Sequence, residues 1–109
     1  MDRDSIRQLI GDLEREVNNG GFDQFFFNPP GGNAPGTIEA LEAVGAHKTA
    51  AIVRRAWARF PGGMPPPERI KRQKLLLSTV SPDSDGFEDD DDAFYEYEDD
   101  LKGLVAAFD

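Results

Sequence analysis

Ile6, Leu9, Ile10, Leu13 and Val17 recur at spacings of three and four, which predicts an amphipathic helix over residues 4–18. Asp4 or Ser5 is placed to cap its start, and Asn18-Asn19-Gly20-Gly21 to end it, because Asn and Gly tolerate the left-handed backbone. Phe22-Asp23-Gln24-Phe25-Phe26-Phe27-Asn28 then reads as one or two helical turns that fill a core, halted by Pro29. Residues 29–36 are loop-forming. Thr37 reads as an N-cap, with Ile38, Leu41 and Val44 lining a short helix that ends near Gly45. Ile52, Val53, Ala56, Trp57 and Phe60 give the apolar face of a helix over about 47–60, with Arg54, Arg55 and Arg59 mostly outside that face.

Pro61-Gly62-Gly63 opens a second loop, near residues 61–66. Pro67 suits the first position of the next helix, with Glu68 against its dipole and Ile70 and Leu75–Leu77 among Arg69, Lys71, Arg72 and Lys74. A turn-rich break covers about 81–87. Phe94, Tyr97, Leu101, Leu104, Val105 and Phe108 then fall on one third of a helix predicted over 90–108. No period-two strand pattern and no internal repeat is found. The expectation is all-α: residues 1–109 as a single compact helical domain of five to six helices with an aromatic-rich core.

Composition narrows the chemistry. The chain has 109 residues, no Cys and one His, which excludes disulfides, thiolate zinc sites and Cys nucleophiles. His47 reads as a surface or capping residue. No apolar run reaches the ~18–20 residues of a membrane span, and Met1-Asp2-Arg3-Asp4 does not open a secretory signal, so a cytoplasmic location is expected. The acidic run fails the calcium-loop pattern. With Asp83 as the first ligand, the sixth position is Glu88 where Gly is needed and the twelfth is Phe94 where Glu is needed. Gly31–Gly36 lacks the Gly-Lys-Ser/Thr of a phosphate loop. No catalytic residue, metal ligand or cofactor is assigned, and the chain reads as non-enzymatic.

Charge is segregated. The net charge is −9, carried as −5 over residues 1–46, +7 over 47–81 and −11 over 82–109. The acidic sign argues against nucleic acid or anionic lipid as a direct ligand. On an unbroken helix over 88–100, Glu88, Asp92, Glu96 and Asp99 form a stripe opposite the apolar face. The nine acids in that window give about one charge per ~2 Å of axis, against ~1.7 Å in duplex DNA. Asp85, Glu88, Asp89, Asp91, Asp92, Glu96 and Asp99 are therefore the candidate partner-binding residues, each substituting for a phosphate. Two blander readings stand beside this one. The stripe is a solvated face, or the basic 54–74 stretch covers helix edges and neutralises it.

The run Glu16-Val17-Asn18-Asn19-Gly20-Gly21-Phe22-Asp23-Gln24-Phe25-Phe26-Phe27-Asn28 resembles the signature of the DNA-mimic protein family's C-terminal domain. Thr37-Ile38-Glu39-Ala40-Leu41, Ile52-Val53-Arg54-Arg55-Ala56, Phe60-Pro61 and Phe94-Tyr95-Glu96-Tyr97-Glu98-Asp99-Asp100-Leu101 are similar to later segments. The resemblance spans about residues 10–108. It implies an all-helical bacterial protein, homodimeric in the family's namesake, whose carboxylates imitate duplex phosphates. Such a protein occupies the DNA-binding surface of a basic partner such as a transcriptional regulator. The alternative is a structural or adaptor domain that associates through an apolar patch, in one version a dimer through the Phe-rich segment.

Overall fold

In the computed structural model, which describes residues 1–108, the first apolar stripe folds as α1, Arg3–Phe27. Asp2, two residues before the expected cap, accepts the Ser5 N–H at 2.8 Å. The stop signal at Asn18–Gly21 acts as a kink inside α1: Gly20 and Gly21 leave helical geometry, and Gly21 reaches φ 70°. Below the kink the stripe continues as the Phe cluster. Glu16, buried beside it, accepts from both Gln24 and Asn28 at 2.8 Å. The two halves of α1 are thus tied across the bend.

A tight 3₁₀ segment, Pro29–Asn33, folds back on α1, and Gly31 lies so close to the Phe25–Phe26 backbone that a Cβ would overlap it. Helix α2, Ala34–Ala43, begins three residues before Thr37, because Pro35 serves as a first-turn residue. Thr37 is not the N-cap expected from the sequence; it is buried inside α2. Helix α3 is His47–Trp57, followed by a 3₁₀ turn at Pro61–Gly63. Helix α4, Arg69–Leu75, starts two residues after Pro67, and Glu68 caps it by accepting from Ile70 N–H (3.1 Å) and Lys71 N–H (2.8 Å). It ends in a wide π turn over Leu76–Val80.

The helix expected over 90–108 is two helices, α5 (Glu88–Tyr95) and α6 (Leu101–Ala107). There are thus six helices and no strand among the described residues. None is long and apolar enough to cross a membrane.

Phe26 is the hub of the core. Its ring centroid lies 5.1 Å from Phe25, 5.0 Å from Phe60, 5.4 Å from Phe87 and 6.1 Å from Phe22, in edge-on and stacked pairs. Phe94 joins edge-on to Phe22 at 6.0 Å. Phe22, Phe25 and Phe26 all point inward, and only Phe27 of that cluster is exposed. The Phe-rich segment therefore leaves only Phe27 outside as an apolar contact.

Arg72 is also buried, without a carboxylate partner. Its guanidinium donates to Phe26 O (2.7 Å), Asn28 O (3.1 Å), Pro67 O (2.9 Å) and Pro66 O (3.3 Å). It satisfies carbonyls left unpaired where α1 ends and fixes α4 against them. Replacing Phe26 by Ala removes the ring shared by four others and should cost about 3–5 kcal/mol. Urea denaturation followed by far-UV circular dichroism measures this, and a loss below about 1 kcal/mol would contradict the hub assignment.

Candidate functional site

Helix α5 opens with four successive acids, Glu88–Asp91. The N-terminal end of the helix dipole lowers the cost of that clustering. The apolar residues Phe87 and Phe94 sit seven apart and both enter the core, which fixes the helix's rotation. The acids consequently divide. Asp90 lies on the inward side and is fully buried. Asp91 is half-buried, while Glu88, Asp89 and Asp92 are exposed.

Asp90 is met by two guanidiniums from α3 and the residues just beyond it. Arg55 Nε donates to Oδ1 at 2.7 Å, Arg59 Nε to Oδ2 at 2.5 Å, and Arg59 also reaches Oδ1 at 3.2 Å. The Asp90 hydrogen bonds raise the Arg59 pKa further, against its desolvation. Asp90 was not among the candidate residues; its offsets of three from Phe87 and four from Phe94, which put it on their side of the helix, are the signal that marks it.

Asp91 accepts the Phe22 N–H at 2.8 Å, the first free donor below the kink in α1. Its carboxylate packs where a Cβ on Gly21 would stand, so the Gly20–Gly21 bend and Asp91 fit each other. Burial, then the negative charges of Asp23, Asp90 and Asp92, push its pKa up to about 6 despite the Phe22 hydrogen bond. Asp23, half-buried on α1, is shifted up too, first by desolvation and then by Asp85.

The acidic stripe does not continue to Asp99. Tyr97 takes a left-handed φ of 47° and breaks the helix. Its hydroxyl accepts from Asn18 Nδ2 (2.8 Å) and donates to Glu14 (3.0 Å) on α1. Tyr95 similarly donates to Val17 O at 2.8 Å. Asp99 then turns to α3, where its Oδ2 accepts from Thr49 N–H (2.7 Å) and Thr49 Oγ1 (2.9 Å). Ala46 at the head of α3 cannot cap a helix with its side chain, so a residue fifty positions away does so. Asp100 caps α6 through Gly103 N–H at 3.2 Å.

Of the seven candidate residues, Asp85, Glu88, Asp89, Asp92 and Glu96 are exposed and form no ion pair among the described residues. Asp91 and Asp99 are half-buried and hold backbone N–H groups. The density expected of an unbroken helix falls accordingly. Glu88, Asp89, Asp92 and Glu96 span about 12 Å of rise, one charge per about 3 Å. That matches the ~3.4 Å of a single strand of duplex, not the ~1.7 Å of both strands together. The basic stretch divides as well. The cations of α3 are paired, Arg54 with Glu42 and Lys48 with Glu98 besides the Asp90 cluster, whereas those of α4 form no ion pair among the described residues.

The family model of the DMP19-like proteins matches residues 6–108, nearly the whole chain. The chain belongs to the DMP19-like protein family. This is the DNA-mimic family that the Asn18–Phe26 signature resembles. In this DMP19-like chain the signature residues make the kink and the core, and the outward carboxylates come from a different segment, α5. No curated protein and no solved structure matches the chain.

Two outcomes follow from the charged groups of this DMP19-like chain. Replacing Arg55 and Arg59 together by Ala leaves the Asp90 carboxylate buried without a counter-charge and should cost about 3–5 kcal/mol. Replacing Asp90 by Asn should cost less, about 1–2 kcal/mol, because the two partly exposed guanidiniums can hydrate. Chemical denaturation of both variants gives the order, and a reversed order would refute the pairing as the source of the energy. The second outcome concerns pH. Asp91 has a folded pKa above its unfolded value, so ionising it opposes folding above about pH 6, and that cost is relieved as pH falls through 6. Asp91→Asn keeps an acceptor for Phe22 N–H and should stabilise the protein at about pH 8, with the gain shrinking by about 1 kcal/mol at about pH 5. Denaturation midpoints at the two pH values test this; a gain independent of pH would contradict it.

Proposed function

We propose that this chain is a non-enzymatic DNA mimic whose exposed carboxylates occupy the DNA-binding surface of a basic partner, such as a transcriptional regulator. The observation that carries the reading is the division of α5. The inward acid, Asp90, takes up Arg55 and Arg59, and five candidate acids stand outside without ion-pair partners among the described residues. Family membership supports the same reading, since the DMP19-like family suggests a DNA mimic and is in general non-enzymatic.

The contact residues proposed are Asp85, Glu88, Asp89, Asp92 and Glu96. Asp91 and Asp99 belong to the same acidic field and contribute by holding its supports in place: Asp91 fixes α5 to the bend of α1, and Asp99 fixes the following turn to α3. The mimicry is of a short length of one phosphate strand. A partner's arginines and lysines meet carboxylates at strand-like spacing on a scaffold that does not have to reorganise, which reduces the entropic cost of binding. Nucleic acid itself is not a ligand, because the acidic face repels it.

The reading predicts competition. Immobilised chain should retain basic DNA-binding regulators, and duplex DNA should release them. Retention should fall steeply from about 50 to about 200 mM salt. The combined variant Glu88→Gln, Asp92→Asn, Glu96→Gln should keep its helicity and weaken binding at least about tenfold. Binding that is flat with salt and indifferent to this variant would overturn the proposal.

A further inference from the structure

The cations that the acidic segment does not use lie on α4. Arg69, Lys71 and Lys74 are exposed, and no carboxylate comes within ion-pair distance of them among the described residues, although the chain carries 21 acids. Between these cations sit Ile70, 54% exposed, and Leu77, 59% exposed. Leu77 lies in the π turn that continues α4, about two turns beyond Ile70. Gln73 donates to Phe27 O at 2.8 Å, which brings the end of α1 beside the strip, where Phe27 is itself exposed. The outer half of α4 is therefore an aliphatic seam bordered by unpaired cations.

This strip is held rigid from behind. Arg72 points the opposite way and grips four carbonyls, Glu68 caps the first turn, and Leu76 is anchored in the core. A solvated helix face has no need of two large aliphatic side chains more than half exposed. A nucleic acid would use the cations and leave those aliphatics idle. Two turns with two aliphatics are too little for stable anchoring to a bilayer.

We infer that the outer face of α4 is a second docking surface, separate from the acidic one, and that it takes an acidic helical segment of another protein carrying aliphatic side chains. Carboxylates of that segment meet Arg69, Lys71 and Lys74, while its aliphatics cover Ile70, Leu77 and Phe27. The overall charge of −9 does not prevent this, because screening limits each charge to about 8 Å at physiological salt. The molecule then has one face for a basic partner and another for an acidic one.

The test uses the full chain and a fluorescein-labelled synthetic helix with leucines two turns apart between flanking glutamates, read by fluorescence anisotropy. The wild-type chain binds it. The double variants Ile70→Asp with Leu77→Asp, and Lys71→Glu with Lys74→Glu, each weaken binding at least about tenfold while circular dichroism is unchanged. Glu88→Gln, Asp92→Asn, Glu96→Gln leaves this binding intact, so the outcome is independent of the proposed mimicry. Absence of wild-type binding, or equal binding by the α4 variants, overturns the inference. So does α4-dependent binding of duplex DNA, of phosphatidylglycerol vesicles or of a second copy of the chain in preference to the helix.

Discussion

Asp90 is one of five consecutive acids, and the positions of Phe87 and Phe94 leave it no route to water. A carboxylate in that position needs counter-charge, and Arg55 of α3 and Arg59 just beyond it supply it. This pairing sets both the geometry and the electrostatics of the molecule. It locks α5 against α3, so the acids on the other side of α5 are displayed in a fixed orientation. It also commits those two partly exposed guanidiniums to Asp90, so that neither forms an ion pair with the acids outside. Had the same guanidiniums reached outward, the acidic face would be a mixed-sign surface of little use to a basic partner.

The apolar stripes of α1 and α3, the Phe core and the all-helical class were legible in the sequence because each depends on local periodicity. The starts of α2 and α4 were less so. At α2 the Pro-Gly segment that reads as loop is also a helix first turn; at α4 Glu68 is the cap and Arg69 the first helical residue, in place of the expected Pro67. The division of the last third into α5 and α6 was not legible. Residues 90–108 keep helical spacing throughout, and what breaks them is tertiary: Tyr97 reaches α1 and Asp99 reaches α3. Local pattern is overridden where a left-handed residue is compensated by contacts at long sequence separation.

The same reasoning explains which candidate acids were separable in advance. Glu88 and Asp92 follow from helical phase alone. Asp91 and Asp99 look identical to them in composition, yet each accepts a backbone N–H that another part of the chain leaves free. The charge sums also concealed a distinction. The cations of the +7 middle segment have different fates: Arg55, Arg59 and Lys48 meet acids of the last third, Arg54 meets Glu42, Arg72 is buried on carbonyls, and Arg69, Lys71 and Lys74 stay outside, and only three-dimensional placement tells them apart.

The ties between the first helix and the last third of the chain also govern how the molecule assembles. Phe22 to Asp91, Val17 to Tyr95, and Asn18 and Glu14 to Tyr97 join residues 69 to 83 positions apart. Such contacts form only after a long loop has closed, and contacts of this kind slow folding. On a ribosome, the lower half of α1 waits until nearly the whole chain has emerged before its bend finds the carboxylate that completes it.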